Sequence, residues 1–114
     1  MSDDLKKLIE AVEASSISYS NLDPFVAALG MNTQANDAHM AYRGSLDAAK
    51  ALHEALLPGW IFDLTNGSCF VCPGLDDDDD TTSGQYAGES DVWSRAWLLA
   101  ILRALVGQAE GGKG

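Results

Sequence analysis

The stretch that most constrains the fold runs from Ser45 to Cys72, SLDAAKALHEALLPGWIFDLTNGSCFVC. Ser45 suits a helix N-cap, and Asp47 adds negative charge in the first turn, where the helix dipole favours it. Leu46, Ala49, Leu52, His53 and Leu56 then fall near one helical face. Leu57-Pro58-Gly59 ends that helix, because proline cannot continue the hydrogen-bond ladder. Trp60, Phe62 and Leu64 alternate with Ile61, Asp63 and Thr65, the period of a strand. Asn66-Gly67 tolerates the positive φ angles of a two-residue hairpin turn. Ser68 to Cys72 returns as the second strand, with Cys69 and Val71 on one side and Phe70 and Cys72 on the other. The expectation is a helix over 45–57 and a hairpin over 60–72. Two strands alone are marginal, so a third is expected near Gln85–Ala87, or else the hairpin leans on helices.

The flanking segments add helices. Leu5, Leu8, Ile9 and Val12 make one stripe of a helix over 2–14, with Ser2, Asp3 and Asp4 at its start. Asp23-Pro24 opens a short second helix over 24–29, which Gly30 stops. Met31 to Gly44 has little periodicity and reads as a connecting loop, pinned by Met40 and Tyr42. Pro73 to Gly88 reads as an acidic loop holding five consecutive aspartates. Ser90 caps a final helix over 90–106 whose apolar residues, Trp93 and Trp97 among them, run around most of the circumference. Gly107 is read as its stop. The whole is one domain over 1–114 of α/β (α+β) class. It is expected to be a three-layer α/β/α sandwich with a small antiparallel sheet flanked by helices.

Charge and length bound the function. Seventeen acids against seven bases give a net charge of −10, which repels phosphate backbones and argues against direct nucleic-acid binding. No run is apolar enough for a membrane span, and MSDDLKKLIE does not read as a secretory signal, so the expected compartment is the cytoplasm. Two cysteines with no export signal imply no disulfide framework.

Four constellations are weighed on their chemistry. Cys69-x-x-Cys72 has metal or redox spacing, but on a strand residues i and i+3 point to opposite faces, and no second pair completes a zinc site. Small core and edge residues are the ordinary reading. Asp78, Asp80, Thr82 and Glu89 fall at positions 1, 3, 5 and 12 of a calcium-loop template, but Ser83 stands where that loop needs glycine. A solvated charge run is the simpler account of Asp76, Asp77, Asp78, Asp79 and Asp80. The sharper one makes these residues and Glu89 a partner-binding surface that mimics nucleic-acid phosphates against a basic groove. His39 and His53 lie in no nucleophile or metalloprotease motif, so no catalytic residue, metal or cofactor is expected. Trp60, Trp93 and Trp97 read as core, and any exposed member becomes a binding hot spot.

Several of these features together resemble a known family. They are Leu22-Asp23 opening a helix, the Tyr42-Arg43-Gly44-Ser45-Leu46-Asp47-Ala48-Ala49 stretch, Leu57-Pro58-Gly59-Trp60 opening a strand, and the alanine-leucine helix from Ala96 to Ala104. The chain is similar to small phage and prophage proteins that carry the phage ABA-sandwich domain. That resemblance implies a three-layer domain of viral origin with no catalytic residues to carry over. The expected function is a non-enzymatic phage accessory protein in the host cytoplasm that binds a host or phage protein. A candidate role is acidic inhibition of a nucleic-acid-binding defence effector such as a CRISPR effector. The alternative is a phage structural or assembly protein that forms homo-oligomers.

Overall fold

The computed structural model describes residues 2–14, 16–18, 21, 23–30, 33–65, 67–72 and 86–111, with side chains from Asp3 to Gly107. Five helices and three strands follow in the order α1 (Ser2–Glu13), α2 (Asp23–Leu29), α3 (Thr33–Arg43), α4 (Leu46–Leu56), β1 (Ile61–Thr65), β2 (Ser68–Cys72), β3 (Tyr86–Glu89) and α5 (Trp93–Gly111). The fold class is the expected one, an α+β arrangement of helices with a small antiparallel sheet.

The sheet has the order β1-β2-β3, with Thr65 opposite Ser68 and Phe70 opposite Ala87. Gly67 takes φ 82°, which a two-residue hairpin turn of this kind requires. Phe62, Leu64, Cys69, Val71, Tyr86 and Gly88 share the inner face, since directly paired residues point the same way. That face meets α5. Gly88 lies so close to α5 that a Cβ there would strike the Ala96 carbonyl oxygen and come within 2.6 Å of Leu99 Cβ and 2.7 Å of Ala100 N.

Helix α5 is the hub. Residues 94–102 are all buried, as expected of a helix apolar around its circumference. It touches β2 and β3 on the sheet side and α1, α3 and α4 elsewhere, so the layers run sheet, α5, outer helices. The core gathers Leu8, Val12, Phe25, Leu52, Leu57 and Val71 around Leu98, Leu99, Ile101 and Leu102.

Four boundaries differ from the sequence reading. Residues expected to form the Met31–Gly44 loop build α3, whose inner stripe is Ala35, Ala38, His39, Ala41 and Tyr42. Those residues have helical spacing, but small alanines between Asn, Asp and Gln give little apolar contrast. The third strand expected near Gln85–Ala87 is β3, Tyr86–Glu89, so the last residues assigned to the 73–88 loop are strand, with Gly88 pressed against α5. The final helix begins at Trp93 rather than after Ser90, because Ser90 Oγ accepts a bond from Val92 N at 3.2 Å in a bend before the helix. It also runs through Gly107 to Gly111. Gly107 is absent from the positive-φ glycines, and it is a packing glycine whose added Cβ would collide with the Tyr86 phenol. Gly30, by contrast, does stop α2, at φ 90° with its N–H on Val26 O at 2.8 Å. Ser45 caps α4 as expected, accepting from Ala48 N at 3.1 Å. Leu46 and Trp93, both placed on apolar faces by the sequence, are 42% and 44% exposed.

The end of α3 explains two buried polar residues on α5. The last carbonyls of a helix lack partners within it. Ser94 Oγ donates to Ala41 O at 2.6 Å, and Arg95 Nε and Nη2 donate to Tyr42 O at 3.1 and 2.9 Å. The Arg95 guanidinium also sits 4.1 Å over the Tyr42 ring, and its charge suits the negative end of α3. Tyr42 Oη in turn donates to Ile17 O at 2.9 Å, tying the segment after α1 to the same point.

Candidate binding surface

Of the residues singled out for partner binding, Asp76–Asp80 lie outside the described residues. Glu89 is described. It is exposed at the end of β3, opposite Ser68, on the outer face of the sheet. That face carries Ile61, Asp63, Thr65, Ser68, Phe70, Cys72, Ala87 and Glu89. Ile61 is 47% exposed and Phe70 44%, and Asp63 stands directly across from Phe70. None of these eight residues is basic.

Cys69 and Cys72 are divided between the two faces. Cys69 is buried against α5, whereas Cys72 is half-buried on the outer side beside Ile61. Burial pushes the Cys69 thiol up to about 12, opposed in part by a backbone hydrogen bond at Asp63 and reinforced by the Asp63 charge. A thiol held protonated in this way is a poor nucleophile. Among the described residues no cluster of three or more His, Cys, Asp or Glu side chains has the geometry for a metal ion.

Both histidines are packed. His39 lies 5.3 Å from the Phe25 ring. His53 is enclosed by Trp97 and Phe62, with ring centroids at 5.8 and 5.3 Å. Trp97 Nε1 donates to His53 Nδ1 at 3.3 Å, and His53 Nε2 lies 3.0 Å from Trp60 O. An indole can only donate and a carbonyl can only accept, so this geometry assigns the neutral tautomer with its proton on Nε2.

Beside this cluster lies an open groove of about 370 Å³ between the end of α4 and β1. His53, Leu57, Trp60 and Phe62 contribute to its walls, with Lys50 and Glu54 joined in an ion pair of 3.1 Å on the same helix. Phe62 also covers Trp97, the ring centroids being 4.2 Å apart, yet is itself 44% exposed. Sequence reasoning placed Phe62 and His53 correctly on a strand and a helix but did not bring them together. The distance between them along the chain carries no periodic signal.

The two edges of the sheet are finished differently. Arg103 Nη1 donates to Ala87 O on β3 at 2.5 Å, and Arg103 also pairs with Glu13 of α1. Among the described residues nothing bonds to the free side of β1. No helix among the described residues is long and apolar enough to cross a membrane. No family model, curated protein or solved structure matches the chain.

Proposed function

We propose that this is a non-enzymatic binding protein that engages a host or phage protein through an acidic surface. The target we favour is a nucleic-acid-handling effector with a basic groove, such as a CRISPR effector. The phage setting comes from the ABA-sandwich resemblance of the Tyr42–Ala49 and Leu57–Trp60 stretches. The observation that carries the reading is the outer sheet face, where exposed Phe70 and Ile61 stand with Asp63 and Glu89 and without a basic side chain. A mixed apolar and anionic surface suits a partner that binds phosphates, because complementary charge steers the encounter and apolar area holds it. A net charge of −10 extends the same sign over the molecule.

The test is displacement. A labelled DNA duplex bound to a purified effector is titrated with this protein at two salt concentrations. Displacement that weakens with salt, and weakens again when Asp76–Asp80 become Asn and Glu89 becomes Gln, is the expected result. Failure to displace DNA from any basic-groove effector of the host removes the reading. Exposed Ile61, Phe70 and Trp93 favour a second reading, a phage assembly protein that forms homo-oligomers. Size-exclusion chromatography with light scattering separates the two, since a stable oligomer at micromolar concentration belongs to the second alone.

A further inference from the structure

The hydrogen-bond parity of the sheet defines what its open edge offers. The two-residue turn makes Thr65 and Ser68 a hydrogen-bonded pair. Bonded and non-bonded pairs then alternate, so Ile61 and Asp63 also bond to β2. Phe62 and Leu64 therefore turn their N–H and C=O groups away from β2, to the free side. The same count run across β2 leaves Ala87 facing outward on β3, and Ala87 O is indeed the atom that Arg103 reaches. On the β3 edge a guanidinium takes the outward Ala87 carbonyl, whereas the four outward backbone groups of Phe62 and Leu64 on β1 meet no partner among the described residues.

Edge strands are usually blunted by lysine, proline or a bulge. β1 has none of these, and its one charge is Asp63. Alongside it runs the groove walled by Phe62, Trp60 and His53, with α4 as the opposite bank. A strand edge beside a helix-lined groove is the setting in which an extended peptide adds to a sheet.

We propose that the open edge of β1 and this groove take an extended segment of a partner protein as a fourth, antiparallel strand. The segment is apolar at the positions opposite Phe62 and Leu64 and basic at the position opposite Asp63. The apolar residues follow from the face, since cross-strand neighbours of Phe62 and Leu64 lie on the inner side, next to the groove. The basic residue follows from charge. Asp63 is exposed, and the Lys50–Glu54 pair contributes no net charge to the groove. A second copy of this chain fits poorly. The full antiparallel register of β1 on itself sets Asp63 against Asp63, between molecules that each carry −10. The inference rests on the protein-binding reading above and gives it a contact surface.

The probe is a fluorescent peptide, Lys-Val-Lys-Val-Lys-Val-Lys, followed by anisotropy, with a second version carrying glutamate for lysine. In the proposed register the valine amides face β1 and the lysine amides face solvent. N-methylation of the valines is expected to weaken binding about tenfold or more, while N-methylation of the lysines leaves it nearly unchanged. Asp63→Lys is expected to reverse the preference toward the glutamate peptide. Equal loss from both methylation patterns, or no saturable binding, overturns the proposal. So does a dimer in light scattering that Asp63→Lys alters, because the occupant is then a second copy. Peptide binding with no displacement of DNA from an effector keeps the edge and removes the partner class. Displacement that persists with the edge saturated by peptide removes the edge.

Discussion

Gly88→Ala probes the close approach of β3 to the backbone of α5. The added methyl would meet the Ala96 carbonyl oxygen, Leu99 Cβ at 2.6 Å and Ala100 N at 2.7 Å. Two of these three atoms belong to the α5 backbone and cannot rotate aside. In an unobstructed strand the change would stabilise by about 0.4–1 kcal/mol, because alanine has less freedom to lose than glycine. Overpacking of a tight interior costs about 1–3 kcal/mol, and rigid backbone partners put this site in the upper part of that range. The net expectation is a loss of about 2 kcal/mol, or about 8 °C in Tm for a domain of this size. Guanidinium unfolding followed by circular dichroism should show a lower midpoint with an unchanged slope. A variant as stable as the parent, or more stable, would mean that α5 does not approach β3 as closely as described.

Two further expectations concern buried polar groups. Arg95→Met removes two donors to the buried Tyr42 carbonyl and should cost about 1–3 kcal/mol, more than Ser94→Ala at about 1 kcal/mol, since Gly44 N still serves Ala41 O. Paired denaturation curves check the order of the two. Cys69 predicts an alkaline weakness. Its folded value of about 12 lies above the unfolded 9.0, so between those two values the folded state holds a proton that the unfolded state has released. Its contribution is therefore complete below pH 9.0 and falls as pH rises, by at most about 1.4 kcal/mol per pH unit. Denaturation of the parent and Cys69→Ala across that window should show the two curves converging, and parallel curves would refute the assignment.

The legible parts of this fold were those written in strong local chemistry. Pro58-Gly59, Asn66-Gly67 and the alternation from Trp60 to Leu64 each leave few conformations open, and the hairpin follows. Helix α3 is hard to read from the sequence because three of its five buried residues, Ala35, Ala38 and Ala41, are alanines, which contrast weakly with Asn36 and Asp37, and Tyr42 lies at its end. Trp93 shows the opposite failure. Its periodicity with Trp97 suggested burial, but it occupies the first turn of α5, ahead of the buried run that begins at Ser94. Ser94 and Arg95 are polar, yet they are buried because α3 ends against them and its carbonyls need donors. No local pattern states which helix will end where.

A run of aspartates is visible in one dimension, whereas an open edge exists only once strand order is known. The chain places its third strand beside β2 rather than beside β1, and Arg103 of α5 bonds the outward Ala87 carbonyl of β3. Had the third strand paired with β1 instead, Phe62 and Leu64 would have been interior and the groove beside α4 would have been covered. The binding site proposed for this protein therefore depends on strand order, and in that proposal a net charge of −10 favours partners of opposite charge.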